Sequence, residues 1–179
     1  TGLVGPKTIA KLNTLLSIGT PGTPGTPGTP GTPTGAAMSI ALAATNPASA
    51  SIWKGTANNV ILKVTVFGGS TASNVTGLTI TNYGTTQSTG STDLSAIKVY
   101  DENMIQIGSD RTMAGNKAVF VFVPAIAVPA NGSRTLSVAV NIGASATTLA
   151  QVSLGIASAA DITGVTLTGN FPIISNSIG

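Results

Sequence analysis

The sequence predicts an all-β sandwich, and three observations carry that prediction. Short apolar runs, several of them alternating with a period of two, recur through residues 36–179. Turn signals separate them at Gly68-Gly69-Ser70, Asn82-Tyr83-Gly84, Asp101-Glu102-Asn103, Ala114-Gly115-Asn116 and Asn131-Gly132-Ser133. The polar residues are mainly Thr, Ser, Asn and Gly, and only 7% are charged while 42% are hydrophobic. Thr and Val suit a pleated, half-buried surface.

In chain order the runs predict strands at Met38–Ala44, Val60–Phe67, Val75–Asn82, Ala96–Tyr100, Met104–Ile107, Ala118–Val123, Arg134–Asn141, Ala150–Ser158, Ile162–Thr168 and Phe171–Ile178. Many short strands at this spacing read as an Ig-like or Greek-key sandwich. Val60–Phe67 alternates only in part, and its apolar excess suits a central strand. Pro124 and Pro129 bracket an edge or crossover segment, because proline cannot donate to a central ladder.

Two further regions precede this domain. In residues 1–18, Ile9, Leu12, Leu15 and Leu16 fall on one face of a short helix that Pro6 can open and Gly19 can stop. A helix this short needs packing, and the chain opens at Thr1 without a Met, so the segment reads as the tail of a domain in a fragment or processed product. Residues 19–35 contain five triplets, Gly19-Thr20-Pro21, Gly22-Thr23-Pro24, Gly25-Thr26-Pro27, Gly28-Thr29-Pro30 and Gly31-Thr32-Pro33. Proline fixes its own φ and biases the preceding residue away from α, so an extended polyproline II arm is expected. At ~3.1 Å per residue it reaches roughly 45 Å. The period fits a semi-rigid spacer glycosylated at Thr20, Thr23, Thr26, Thr29 and Thr32, a segment docked on another subunit, or a collagen-like triple helix.

The formal net charge is +3, from a scarcity of acids and eight scattered Lys and Arg residues. No basic stripe of the kind that tracks nucleic acid forms. The chain has no Cys and no His, which removes thiolate chemistry and the commonest general base. No apolar run is long enough to span a bilayer as a helix.

The stretch Gly2-Leu3-Val4-Gly5-Pro6-Lys7-Thr8, followed by Ala10, Leu12-Asn13 and Leu15-Leu16, resembles the last helix of a small three-helix peptidoglycan-binding domain. The stretch from Leu94 to Gly108 is similar to a hairpin of β-sandwich modules in bacterial surface proteins. Val128-Pro129-Ala130-Asn131-Gly132-Ser133-Arg134-Thr135-Leu136-Ser137-Val138-Ala139-Val140 resembles another strand of those modules, and Ile156–Thr163 is similar to a later element. These resemblances imply a cell-envelope protein in which a wall-binding domain, a Thr/Pro linker and a sandwich follow one another. They imply contact with peptidoglycan only through upstream sequence.

Little in the residues points to catalysis. The acids are Asp93, Asp101, Glu102, Asp110 and Asp161, and Asp101 and Glu102, being adjacent, read as turn and surface charges. A Ca²⁺ site from Asp101, Asn103 and Asp110 lacks the acidic density of known loops. No Gly-x-Ser-x-Gly elbow or phosphate-cradling loop is present. Trp53 reads as a cap on the sandwich or a subunit anchor, with sugar stacking the functional alternative. Asn74-Val75-Thr76 and Asn131-Gly132-Ser133 match the N-glycosylation pattern, making Asn74 and Asn131 candidate acceptors.

The expectation is therefore a non-enzymatic structural subunit of an extracellular filament or surface coat, without cofactor or metal. Copies of the chain would be its partners, assembling head to tail. The arm would lie on a neighbouring sandwich, with Met38–Ala44 or Phe171–Ile178 as receiving strands. An envelope-anchored adhesion or carbohydrate-binding module is the alternative, and an accessory domain of a wall hydrolase a third reading.

Overall fold

A computed structural model describes residues 37–85, 93–147 and 151–178. The expected N-terminal helix and the Gly19–Pro33 arm lie outside the described residues. The rest is an all-β sandwich, with a 3-10 turn at Ala159–Asp161 as the helical element among the described residues. Ten strands form it: β1 Met38–Leu42, β2 Asn59–Phe67, β3 Ser73–Asn82, β4 Leu94–Tyr100, β5 Lys117–Val128, β6 Ser133–Ile142, β7 Leu154–Ile156, β8 Ile162–Thr163, β9 Leu167–Thr168 and β10 Ile173–Ile174. One sheet has the order β4-β6-β2-β1-β9 and the other β10-β7-β3-β5, with β8 also paired to β3. From β2 to β7 the chain changes sheet at every step, so sequence neighbours face each other across the core. Among the described residues no helix is long and apolar enough to cross a membrane.

The core follows from alternation. On β2, Leu62, Val64 and Val66 turn inward with Ile61 also fully buried, and on β6 Leu136, Val138 and Val140 are buried. Phe120 and Phe122 of β5 meet them from the other sheet, their ring centroids 6.4 Å apart. β2 lies between β6 and β1, as its apolar excess predicts. Pairs near the middle of this sheet also carry a polar rung, Thr65 Oγ1 to Thr135 Oγ1 at 3.3 Å.

Two sequence expectations are corrected. Met104–Ile107 is not a strand. The Asp101 carboxylate accepts the backbone N–H groups of Asn103 and Ile105 at 2.9 and 2.8 Å, and Met104 takes φ 60°, so the chain closes into a turn. The last strands are much shorter than the apolar runs suggest, because Gly164 at φ 88° and Pro172 interrupt them. Asp93 is a buried acid: it is 2% exposed and accepts the Thr147 backbone N–H at 2.7 Å and the Thr147 hydroxyl at 3.3 Å. That carboxylate holds the chain after β6 against the start of β4.

Gly68 marks where β2 leaves the sheet beneath the Pro129–Gly132 turn. Its N–H donates to the Gly132 carbonyl at 2.8 Å, and a Cβ added there would lie 2.1 Å from the Pro129 carbonyl oxygen. Backbone faces this position, so Gly68→Ala must move one turn off the other. We expect a loss of about 1–3 kcal/mol, as for overpacking elsewhere in protein interiors, measurable as a lower urea midpoint with unchanged slope.

Candidate functional site: an open apolar sheet edge

The strand that the prolines single out is an edge strand. Among the described residues β5 pairs with β3 on one side only. Its register is continuous from Lys117↔Thr81 to Val121↔Gly77 and resumes at Ile126↔Val75, so residues 122–125 bulge out around Pro124. Past Lys117 and into the bulge, the run Ala118-Val119-Phe120-Val121-Phe122-Val123 carries no charge. Its inward half is the core already described. Its outward half is bare: Val119 is 57% exposed, Val121 60% and Val123 87%.

Two local features leave these valines uncovered. Val121 stands opposite Gly77, which offers no side chain to lean on it. A Cβ at Gly77 would strike the Phe120 carbonyl at 2.8 Å and the Thr163 hydroxyl at 2.7 Å, so the position has no room for one. Backbone polarity adds to the exposure. Lys117 exchanges both of its backbone hydrogen bonds with Ala114, away from β3. In an antiparallel ladder every second residue turns its N–H and C=O the same way. Val119 and Val121 therefore direct theirs to the open side of the strand.

Both ends of this open segment are closed. Beyond the bulge, Arg134 donates from Nε to the Ala127 carbonyl at 3.0 Å and forms an ion pair with Glu102. These groups, with Asp101, Gln106, Ile107 and Ile126, line a cleft of about 380 Å³. The neighbouring edge of β4 is sealed by its own connection, with Ile97 and Arg111 exchanging hydrogen bonds at 2.6 and 2.9 Å and Ile107 donating to Val99 at 2.7 Å. Natural edges are usually blunted by charge, proline or a bulge. Here Lys117 and Pro124 stand at the limits of the stretch and nothing polar lies between them.

A second opening lies at the far side of the sandwich. β9 pairs with β1 only at Met38 and Ser39. Past that point Ile40, Ala41 and Leu42 face Gly169, Asn170 and Pro172–Ile174 across a cleft of about 620 Å³. Leu42 is 42% and Ile174 36% exposed. The two segments expected to receive an arm thus meet at one cleft.

No protein-family model matches this chain, and no curated protein matches it. The surface itself must carry the functional reading.

The other expected positions are dispersed. Asn74 is exposed on β3, and Asn131 is exposed in the β5–β6 turn with φ 53°. Trp53 does not cap the sandwich: it is 82% exposed in a turn closed by the Thr56 hydroxyl, which donates to its carbonyl at 2.6 Å. Asp101 is occupied by its turn, and Asp110 accepts from Gln106 at 2.7 Å. Among the described residues no three carboxylates come together. Sequence reasoning missed Val119, Val121 and Val123 as a surface. The usable signal was an uncharged Val-Phe-Val-Phe-Val run ending at a proline, since an edge strand that is apolar on both faces must expose one of them.

Proposed function

We propose that this chain is a structural subunit of an extracellular filament or surface coat, whose sandwiches associate through the open edge of β5. The carrying observation is the Val119–Val123 stripe, where exposed apolar side chains and outward-directed backbone groups coincide. An edge of this kind is a template for strand addition. The cleft beside β1 and β10 differs from it in shape and lies on the other side of the domain. Contacts between unlike surfaces are heterologous, and they generate open polymers when the rotation does not close. Scarce charge leaves little long-range repulsion to oppose such association. The Gly-Thr-Pro arm, which leads into β1, is assigned to the contact between neighbouring subunits.

Negative-stain microscopy of the native material tests this reading. Filaments or sheets that appear with rising concentration are expected, and monodisperse particles at high concentration would refute it. Deleting residues 19–34 should abolish ordered assembly if the arm is an intersubunit element, whereas a spacer would only shorten the repeat.

Exposed Trp53 favours a second reading, a carbohydrate-binding module. Quenching or a blue shift of the single Trp on titration with glycans would support it.

A further inference from the structure

Lys98, Asn58, Asp110 and Tyr100 form a cluster that neither the fold nor the proposed assembly requires. Lys98 and Tyr100 are two apart on β4, so their side chains leave the same face of the sheet, opposite to Ile97 and Val99. Both reach one atom. Lys98 Nζ donates to Asn58 Oδ1 at 3.0 Å, and the Tyr100 hydroxyl donates to the same oxygen at 2.9 Å. Asn58 holds φ 57°, and its backbone N–H donates to Asn141 Oδ1 on β6 at 2.9 Å. Asp110 lies on the other side of the lysine, with Oδ2 3.7 Å from Nζ. Gln106 fixes its second oxygen at 2.7 Å, and the Ile97–Arg111 pairing anchors the segment against β4. The Lys98 side chain is only 15% exposed.

We propose that this cluster forms an intramolecular amide cross-link between Lys98 and Asn58. The amine nitrogen is already held on the amide it would attack, by its 3.0 Å hydrogen bond to Oδ1, which fixes the two groups side by side. Asp110 takes a proton from the Lys98 ammonium, leaving a neutral amine whose lone pair attacks Cγ of Asn58. Negative charge develops on Oδ1, where the Tyr100 hydroxyl already donates, as oxyanion stabilisation requires. Asp110 returns the proton to the amide nitrogen, the Cγ–Nδ2 bond breaks, and ammonia leaves into the solvent that reaches Asn58, taking up as ammonium the second proton that Nζ sheds on becoming an amide nitrogen. The new C–N bond joins Nζ to Cγ. An ammonium and a primary amide become a secondary amide and an ammonium ion, so atoms and charge balance without oxidant, metal or cofactor.

The bond has a structural use in a chain without cysteine. Asn58 immediately precedes β2, and β6 lies between β2 and β4. A Lys98–Asn58 amide therefore staples three strands of one sheet. It also closes a loop in the unfolded chain, which is how covalent cross-links restrict the denatured state.

Intact mass spectrometry of the full chain decides the matter. The cross-linked protein is lighter than its sequence by one ammonia. Trypsin should then yield a branched peptide joining Gly55–Lys63 to Val64–Arg111, with no cleavage at Lys98. Lys98→Arg keeps the cation beside Asp110 and should restore the full sequence mass. Asp110→Asn should leave a large uncross-linked fraction after purification. A full mass in the parent protein, with Lys98 cleaved normally, would overturn the proposal. So would an ammonia deficit carried on a linear peptide, such as one containing Asn131-Gly132.

Discussion

Phe120→Ala is expected to cost about 3–5 kcal/mol, the range for truncating a buried aromatic, while Val121→Ala one residue away should change stability by no more than about 0.5 kcal/mol. The two residues are adjacent on β5, and register decides which of them enters the core. Phe120 is 2% exposed and lies in the core, beside the Phe122 ring and opposite the β2 and β6 side chains. Truncation leaves a cavity that the two sheets cannot close without shifting. Val121 is 60% exposed, and its cross-strand neighbour is Gly77. For a domain of this size, the first change corresponds to a drop in Tm on the order of 10 °C. Thermal unfolding followed by far-ultraviolet circular dichroism, at concentrations where the chain is dissociated, checks the pair. Equal losses would mean that β5 is covered on both faces.

How far the sequence reveals this architecture depends on how each strand reports its environment. β2, β3 and β6 are legible because their apolar residues persist over a whole strand and turn residues mark both ends. Met104–Ile107 looks strand-like on side chains alone. It fails because one carboxylate, Asp101, satisfies two of its backbone donors locally. The burial of Asp93 is illegible for a related reason: a buried carboxylate and a solvated one are the same letter until its partner, Thr147, is known. The long apolar C-terminal runs shrink to two- and three-residue strands, because Ile162, Leu167 and Ile173 are buried individually between loops.

The candidate surface is half legible. Pro124 identifies an edge, and the structure bears that out. The Val-Phe-Val-Phe-Val pattern cannot by itself say which face is covered. Two-fold periodicity carries no information when both alternating positions are apolar. Gly77 decides it, by removing the side chain that would have sheltered Val121, and its pairing with Val121 is a tertiary fact.

The double variant Val119→Lys/Val121→Lys distinguishes association through the β5 edge from association elsewhere on the domain. Both side chains point to solvent, so the sandwich should remain folded with nearly unchanged Tm. Lysine on an edge strand opposes pairing by charge and by the cost of desolvating the ammonium. Losing two valine contacts of ~1.5 kcal/mol each removes about 3 kcal/mol per subunit contact, which at 1.4 kcal/mol per decade weakens association about a hundredfold. The measurement is sedimentation velocity of parent and variant over a concentration series. Large assemblies of the parent chain and a folded, monomeric variant are expected across the same range. Identical sedimentation of the two proteins, with the parent assembled, would contradict it by placing the contact elsewhere than the β5 edge.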